Sequence, residues 1–202
     1  MIVLIDGFSI AFRAFYALPE TLMTSKGTPT NVIHGFLSML NKISTDYKTE
    51  QLIVTWDLPG KTFRNDIYTD YKANRSSAPD NFNVQVPLLH ELLNTFNIPQ
   101  VSKEGYEADD VLGSLSTILN KQNKKVLIVT GDRDTYQLIS NKTKILYTKR
   151  GISDVDLVDE KFFFDKFGIK TNQYVEYLAL KGDPSDNIPV SYTHLTLPTN
   201  CV

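Results

Sequence analysis

Nine carboxylates in this sequence are placed so that they could work together. Tyr106-Glu107-Ala108-Asp109-Asp110 puts three acids into four residues, immediately before an apolar run at 111–119 that reads as a helix. A helix start accepts acid, because its free N–H groups and its dipole carry partial positive charge. Taken alone, the cluster reads more readily as a helix cap than as a site. Its company changes the reading. Asp6 follows the strand-like run 2–5, Asp57 follows 52–56, Asp132 and Asp134 follow 126–130, and Asp183 and Asp186 sit in a turn after a helical stretch at 174–180. In a parallel sheet those strand ends share one edge. Like charges gathered there repel by roughly 4 kcal/mol per pair at about 4 Å in an effective dielectric of about 20, so stability alone does not account for them. A divalent cation removes the conflict. An all-oxygen donor set suits Mg²⁺ or Mn²⁺, and two such ions about 4 Å apart can activate water and stabilise a leaving oxygen in phosphodiester cleavage.

The elements that must position these acids are legible as patterns. Gly7 is expected to let the chain turn sharply between the first strand and a helix at 8–18, which carries Arg13 among aromatic residues. Arg13 suits either a phosphate contact or a solvated helix face. A turn at 24–29 leads to a helix capped by Thr30 or Asn31 and running to Tyr47, with Ile33, Phe36, Leu37, Leu40 and Ile43 at helical spacing for the core. After Asp57 and a Leu58-Pro59-Gly60 break, 61–75 reads as a basic, aromatic helix on which Lys61, Arg64, Tyr68, Tyr71, Lys72 and Arg75 recur every three or four residues. Such a face offers cations to phosphate and flat rings to unpaired bases, although a solvated amphipathic helix has the same pattern. A polar loop at 76–81 and a second helix through Leu88 to Phe96 complete a possible lid or a plain crossover. Short strands are expected at 145–147 and 152–155, and a helix at 161–167.

Composition narrows the class. With 202 residues, 42% hydrophobic and 22% charged, the chain suits one domain with a sizeable core. Its net charge of −2 hides a division: nine of the 23 acids are candidate ligands, leaving 14 against 21 Lys and Arg, an acidic site in a basic frame that suits a polyanionic substrate. The single cysteine, Cys201, leaves no disulfide within the chain, and the N-terminus enters a strand without a leader-like pattern, which reads as cytoplasmic. No apolar run reaches the ~20 residues that span a bilayer, so no membrane partner is expected.

Asp6-Gly7, Phe63-Arg64 with Tyr71-Lys72-Ala73-Asn74-Arg75, Tyr106 to Asp110, Thr130-Gly131-Asp132-Arg133-Asp134 and Gly182-Asp183-Pro184-Ser185-Asp186-Asn187-Ile188-Pro189 occur in that order. Together they resemble the 5′ nuclease domain found at the N-terminus of bacterial DNA polymerase I, a family that includes phage and free-standing bacterial 5′–3′ exonucleases and flap endonucleases. The resemblance implies an α/β fold, PIN-like (resolvase-like), with a mainly parallel central sheet flanked by helices and a helical arch over the site. It implies two or three Mg²⁺ or Mn²⁺ ions on Asp6, Asp57, Glu107, Asp109, Asp110, Asp132, Asp134, Asp183 and Asp186, with Lys72 and Arg75 as the catalytic cations. Arg13, Phe63, Arg64 and Tyr71 match family positions that look like DNA contacts, and Tyr68 shares their expected helix face. The implied partner is DNA with 5′ flaps, nicks or RNA primer ends, handled by a monomer in the bacterial cytoplasm at the nucleoid. The match covers 1–189, with a C-terminal subdomain starting near 170. Residues 190–202 lack the family's glycine-rich helix-hairpin-helix and are expected to be a tail in which His194 and Cys201 have no role, leaving that region truncated.

Three other readings stay open on the residues alone. A haloacid-dehalogenase-type phosphatase needs a second acid two residues after the first, where this chain has Phe8. A PIN-type ribonuclease shares the sheet and several acids without needing the arch or Asp183 and Asp186. A non-catalytic DNA-junction-binding module would tolerate loss of ligands, and none is lost.

Overall fold

The computed structural model describes residues 1–150 and 154–190, with residue 150 described by its backbone alone. Six strands form one sheet: β1 (Ile2–Asp6), β2 (Gln51–Thr55), β3 (Gln100–Val101), β4 (Val126–Thr130), β5 (Thr143–Arg150) and β6 (Asp154–Val158), in the order β3-β2-β1-β4-β5-β6. Every neighbouring pair is parallel except β5 with β6. β1 and β4 are buried along their whole length. Their unbroken apolar character is what a parallel strand covered on both faces requires.

Period-two alternation then splits the core. Val3, Ile5, Val54, Leu127 and Val129 face one layer, built on α1 (Gly7–Ala17), α2 (Asn31–Asp46), and Phe82, Leu89 and Leu93 from the region of α4 (Asp80–Asn83) and α5 (Gln85–Thr95). Ile2, Leu4, Val126, Ile128 and Ile145 face the other, where Leu112 of α6 (Ala108–Lys121) packs with Tyr136, with Phe163 of α7 (Glu160–Phe167) and with Tyr174 of α8 (Tyr174–Lys181). The expected α/β fold with a mainly parallel sheet between helices is therefore present. Of the residues placed in the core on helical spacing in α2, Phe36, Leu40 and Ile43 are buried, whereas Ile33 and Leu37 are only partly covered. Among the described residues no helix is long and apolar enough to cross a membrane.

The expected helix over 61–75 does not form. α3 (Phe63–Ile67) lasts five residues; Tyr68 is extended (φ −139°, ψ 104°) and Lys72 takes a left-handed φ of 56°. Backbone and side-chain groups that a helix would satisfy locally are satisfied instead by the loop after α8. Lys72 N–H donates to the Asp186 carbonyl (3.0 Å), Asn74 Nδ2 to the Pro184 carbonyl (3.0 Å), Tyr68 hydroxyl to the Asn187 carbonyl (3.2 Å), and Asn187 Nδ2 to the Asp70 carbonyl (2.9 Å). Tertiary bonds have overridden a weak local preference. What stands over the strand ends is a strap of turns, not a helical arch with one basic face. β5 and β6 are both longer than the short strands expected at 145–147 and 152–155; residues 151–153, on which part of the second expectation falls, lie outside the described residues, as do those from 191 onwards.

Gly7 also has a different reason from the expected one. It opens α1 without a left-handed backbone, and a Cβ there would lie 2.4 Å from the Trp56 ring. The glycine lets the first turn of α1 close onto a buried indole. Gly7→Ala should therefore destabilise the protein by about 1–3 kcal/mol, read as a lower urea midpoint with an unchanged m-value. A midpoint equal to wild type would show that the indole yields freely.

Candidate metal centre

The strand order reverses at β1, which has β2 on one side and β4 on the other. Such a switch point leaves a crevice beyond the carboxyl ends of the strands. Asp6 ends β1 there, Asp57 follows β2, Asp132 follows β4, and Glu107 and Asp109 open α6 against them. Asp6, Asp57, Glu107, Asp109, Asp132 and Lys72 line a cleft of about 460 Å³.

Each acid is aimed by backbone. Asp6 caps α1, its Oδ1 accepting from Ser9 N–H at 3.1 Å, while Oδ2 accepts from the Thr130 hydroxyl at 2.8 Å. Thr130 Oγ1 in turn accepts from Asp132 N–H (3.0 Å), and Asp57 Oδ1 accepts from Ala108 N–H (2.8 Å). Burial raises the Asp6 carboxyl to about 6 against the hydrogen bonds it accepts, and the charges of Asp57 and Asp132 push the same way. Asp109 is driven well above the ordinary carboxylate range, by burial first and then by Asp6, Asp132 and Asp57. These four form one mutually repelling group. Asp134 belongs to a second: burial, then Asp132, Asp183 and Asp186, raise it to about 6. Asp132 acts on both groups.

Glu107, Asp110 and Asp186 are answered by cations. Lys72 Nζ lies 2.9 Å from Glu107 and 3.9 Å from Asp186, and Arg75 bonds Asp186 at 2.5 Å. The Tyr71 hydroxyl is 3.1 Å from Glu107 and 3.0 Å from Asp186, yet its one proton can serve only one of them at a time. Asp110 accepts two bonds from Arg64 (2.7 and 2.8 Å) and one from Glu107 N–H (2.9 Å). Burial opposes its ionisation, but Arg64 and that N–H outweigh burial and hold it below the usual range. Asp183 accepts from Ser185 N–H and hydroxyl, at the edge of the group.

The donor chemistry fits a hard divalent ion: oxygen only, and more negative charge than the local cations answer. Among the described residues no three acids are already closed into a metal-binding group. Lys72 and Arg75 hold Glu107 and Asp186. Of the expected DNA contacts, Phe63 and Tyr68 are exposed at the rim, whereas Arg64 and Tyr71 are turned onto carboxylates. Arg13 passes over Gly131 and donates to the Lys149 carbonyl. Sequence reading missed Thr130 and Ser9. Buried Thr130 joins Asp6 to Asp132, and Ser9 Oγ accepts from Gly131 N–H at 2.7 Å. A hydroxyl three residues after a capping acid, and another just before the Asp132 motif, were the available signals.

Comparison with known proteins agrees with this fold. Residues 1–168 match the family model described as the 5′-3′ exonuclease, N-terminal resolvase-like domain. DNA polymerase I of Mycobacterium leprae is 41% identical over 190 residues, which are 94% of this chain and 21% of that protein. DNA polymerase I of Caldicellulosiruptor bescii is 45% identical over 190 residues, 93% of this chain and 22% of that one. The chain thus spans about a fifth of the length of these relatives. Among solved structures, bacteriophage T5 5′-exonuclease with bound divalent metal ions (zinc) superposes with a TM-score of 0.72 at 17% identity, covering 94% of this chain and 69% of that one. A bacteriophage T5 flap endonuclease in a pseudo-enzyme-product complex with DNA and metal ions gives the same TM-score at 18% identity and the same coverage.

The raised carboxyls fix a pH dependence. Burial and neighbouring carboxylates raise Asp6 and Asp134 from 3.8 to about 6 in the folded chain, and they drive Asp109 well above 3.8. Between about pH 4 and 6 the folded state therefore binds more protons than the unfolded one, and stability falls as pH rises. In EDTA the melting temperature should be higher at pH 5 than at pH 7, and Mn²⁺ should recover most of the loss at pH 7. Scanning fluorimetry across that range checks it, and a melting temperature that climbs from pH 5 to 7 in EDTA would contradict the raised carboxyls.

Proposed function

The chain belongs to the 5′–3′ exonuclease family, and from that premise we propose that it is a metal-dependent 5′ nuclease hydrolysing phosphodiester bonds in DNA with 5′ flaps, nicks or RNA primer ends. One observation carries the reading: Asp6, Asp57, Asp109 and Asp132 repel one another at the switch point and, among the described residues, none of them is held in an ion pair, while Lys72 and Arg75 line the same cleft on Glu107 and Asp186. The two relatives compared above, both bacterial DNA polymerases I, support a place in replication and repair in the bacterial cytoplasm, at the nucleoid. The nuclease unit is assigned to 1–189, acting as a monomer.

Two or three ions, Mg²⁺ or Mn²⁺, would be held by Asp6, Asp57, Glu107, Asp109 and Asp132 together with Asp134, Asp183 and Asp186. Such ions, when bound, lower the pKa of a ligated water and neutralise charge on the phosphate. The chain's own residues do the rest. Thr130 and Ser9 fix Asp6 and the 131–132 backbone. Lys72 and Arg75, which hold Glu107 and Asp186, are placed beside the cleft where they would offset charge building on the phosphate. Asp110, already held by Arg64, is better read as bracing Arg64 and the start of α6 than as a ligand. Phe63 and Tyr68 face bases, Tyr71 bridges Glu107 and Asp186, and Arg13 braces β5 against α1.

Two substitutions test this on a 5′-labelled flap, with single-stranded RNA as control. Asp109→Ala should keep the fold and lower flap cleavage by several orders of magnitude; near-normal cutting, or cutting in excess EDTA, refutes the metal reading. Preferred cutting of the RNA would favour a ribonuclease instead. Lys72→Ala should lower single-turnover rate far more than flap affinity. A change confined to the dissociation constant would make Lys72 a plain phosphate contact.

A further inference from the structure

A groove of about 660 Å³ leaves the acid cluster along the outer side of α6. Its inner end is Asp109 and Asp134; its walls include Phe63, Tyr106, Ile118 and Leu138. A second cleft, of about 590 Å³, shares Arg64, Asp109, Asp134 and Gln137 with it, so the groove is continuous with the site under the strap.

Three observations say what the groove takes. First, its rings are presented to solvent: Phe63 is 41% and Tyr106 47% exposed, with centroids 5.6 Å apart and planes at 51°. Second, the one cation in its lining is Arg64, whose guanidinium is committed twice to Asp110 and lies 4.7 Å above the Phe63 ring. With Asp109, Asp110 and Asp134 alongside, a phosphate would be repelled, whereas a neutral flat ring would find two faces and aliphatic side chains. Third, Gly113 lies in the groove wall midway along α6, where glycine weakens a helix. A Cβ there would meet only Leu138 Cδ2, at an ordinary 3.4 Å. Packing does not demand this glycine, and its effect is to keep the groove deep.

We propose that this groove is a base-binding subsite: it takes one unpaired nucleobase of the strand being cut, next to the phosphate at the acid cluster, stacked against Tyr106 and Phe63. The occupant follows from continuity, because a strand whose phosphate is held through metal ions on Asp109 and Asp134, as in the nuclease reading, would have its neighbouring base at the groove mouth. Tyr106 thereby becomes a substrate contact, in addition to preceding the acids in sequence. The proposal rests on the nuclease reading above.

The test uses flap DNA carrying 2-aminopurine at successive positions on both sides of the cut, bound in Ca²⁺ so that it stays whole. At one position beside the cut, fluorescence should change on binding, and the change should vanish in Tyr106→Ala and persist in Tyr106→Phe. Gly113→Leu, which fills the groove on a helix it should stabilise, should abolish it too. Single-turnover cleavage in Mg²⁺ should fall about 10-fold in Tyr106→Ala, the scale of one lost base stack, and be restored in Tyr106→Phe. Flap DNA bound and cut by wild type, with signals unchanged in Tyr106→Ala and Gly113→Leu, overturns the subsite while leaving the nuclease reading intact. Wild-type protein that neither binds nor cuts flap DNA overturns both.

Discussion

Parallel pairing of β1 with β4 is the constraint on which the rest depends. It sets Ile5 opposite Val129, so that Asp6 and Thr130 emerge side by side one residue further on. Their hydrogen bond, and the one Thr130 accepts from Asp132 N–H, fix the spacing of two acids from opposite halves of the chain. Both strands are sealed between helix layers, so the acids sit on a base that cannot easily give way. A register slip of one residue would move an entire apolar set to the wrong face, which makes the placement of Asp6 nearly as well specified as the core itself.

Above that base the protein divides its negative charge into two kinds. Glu107, Asp110 and Asp186 have Lys72, Arg64 and Arg75 as partners, whereas Asp6, Asp57, Asp109 and Asp132 have mainly one another. The first kind ties the strap to α6 and to the loop after α8, which gives the 68–75 segment its shape without a helix. In the second kind, burial and mutual repulsion oppose the ionisation of Asp6 and Asp109 and outweigh the hydrogen bonds that Asp6 accepts, which marks a binding device more than a stabilising one. Both kinds meet within one crevice, so an ion entering among the unpaired acids changes the attraction that holds the strap. Site chemistry and strap position are therefore linked through the same few carboxylates.

Much of this was legible in the sequence, for physical reasons. Unbroken Val and Ile runs announced buried parallel strands, and acids directly after them announced the shared edge. The strap was misread because helical spacing of Arg64, Tyr68, Tyr71 and Arg75 is a local signal, while the bonds from Lys72, Asn74 and Asn187 that defeat it join residues more than a hundred positions apart. β3 escaped notice because Gln100 and Val101 make a strand only by pairing with β2. Thr130 read as the end of a strand, since nothing local shows which side chain its hydroxyl meets. Gly7 was correctly singled out for the wrong cause, because the indole that excludes a Cβ lies 49 residues further on.

The hydrogen bond from Thr130 to Asp6 closes a loop of 124 residues, and the contacts of Arg75 and Tyr71 with Asp186 reach 111 and 115 residues along the chain. No short fragment can contain the acid cluster. Contacts of such range form late and slowly, after the entropy of closing long loops has been overcome. During synthesis from the N-terminus, Asp6 waits exposed until β4 has emerged, and the loop carrying Asp186 arrives later still. The acid cluster is consequently a property of the finished tertiary structure and has no counterpart in the nascent polypeptide.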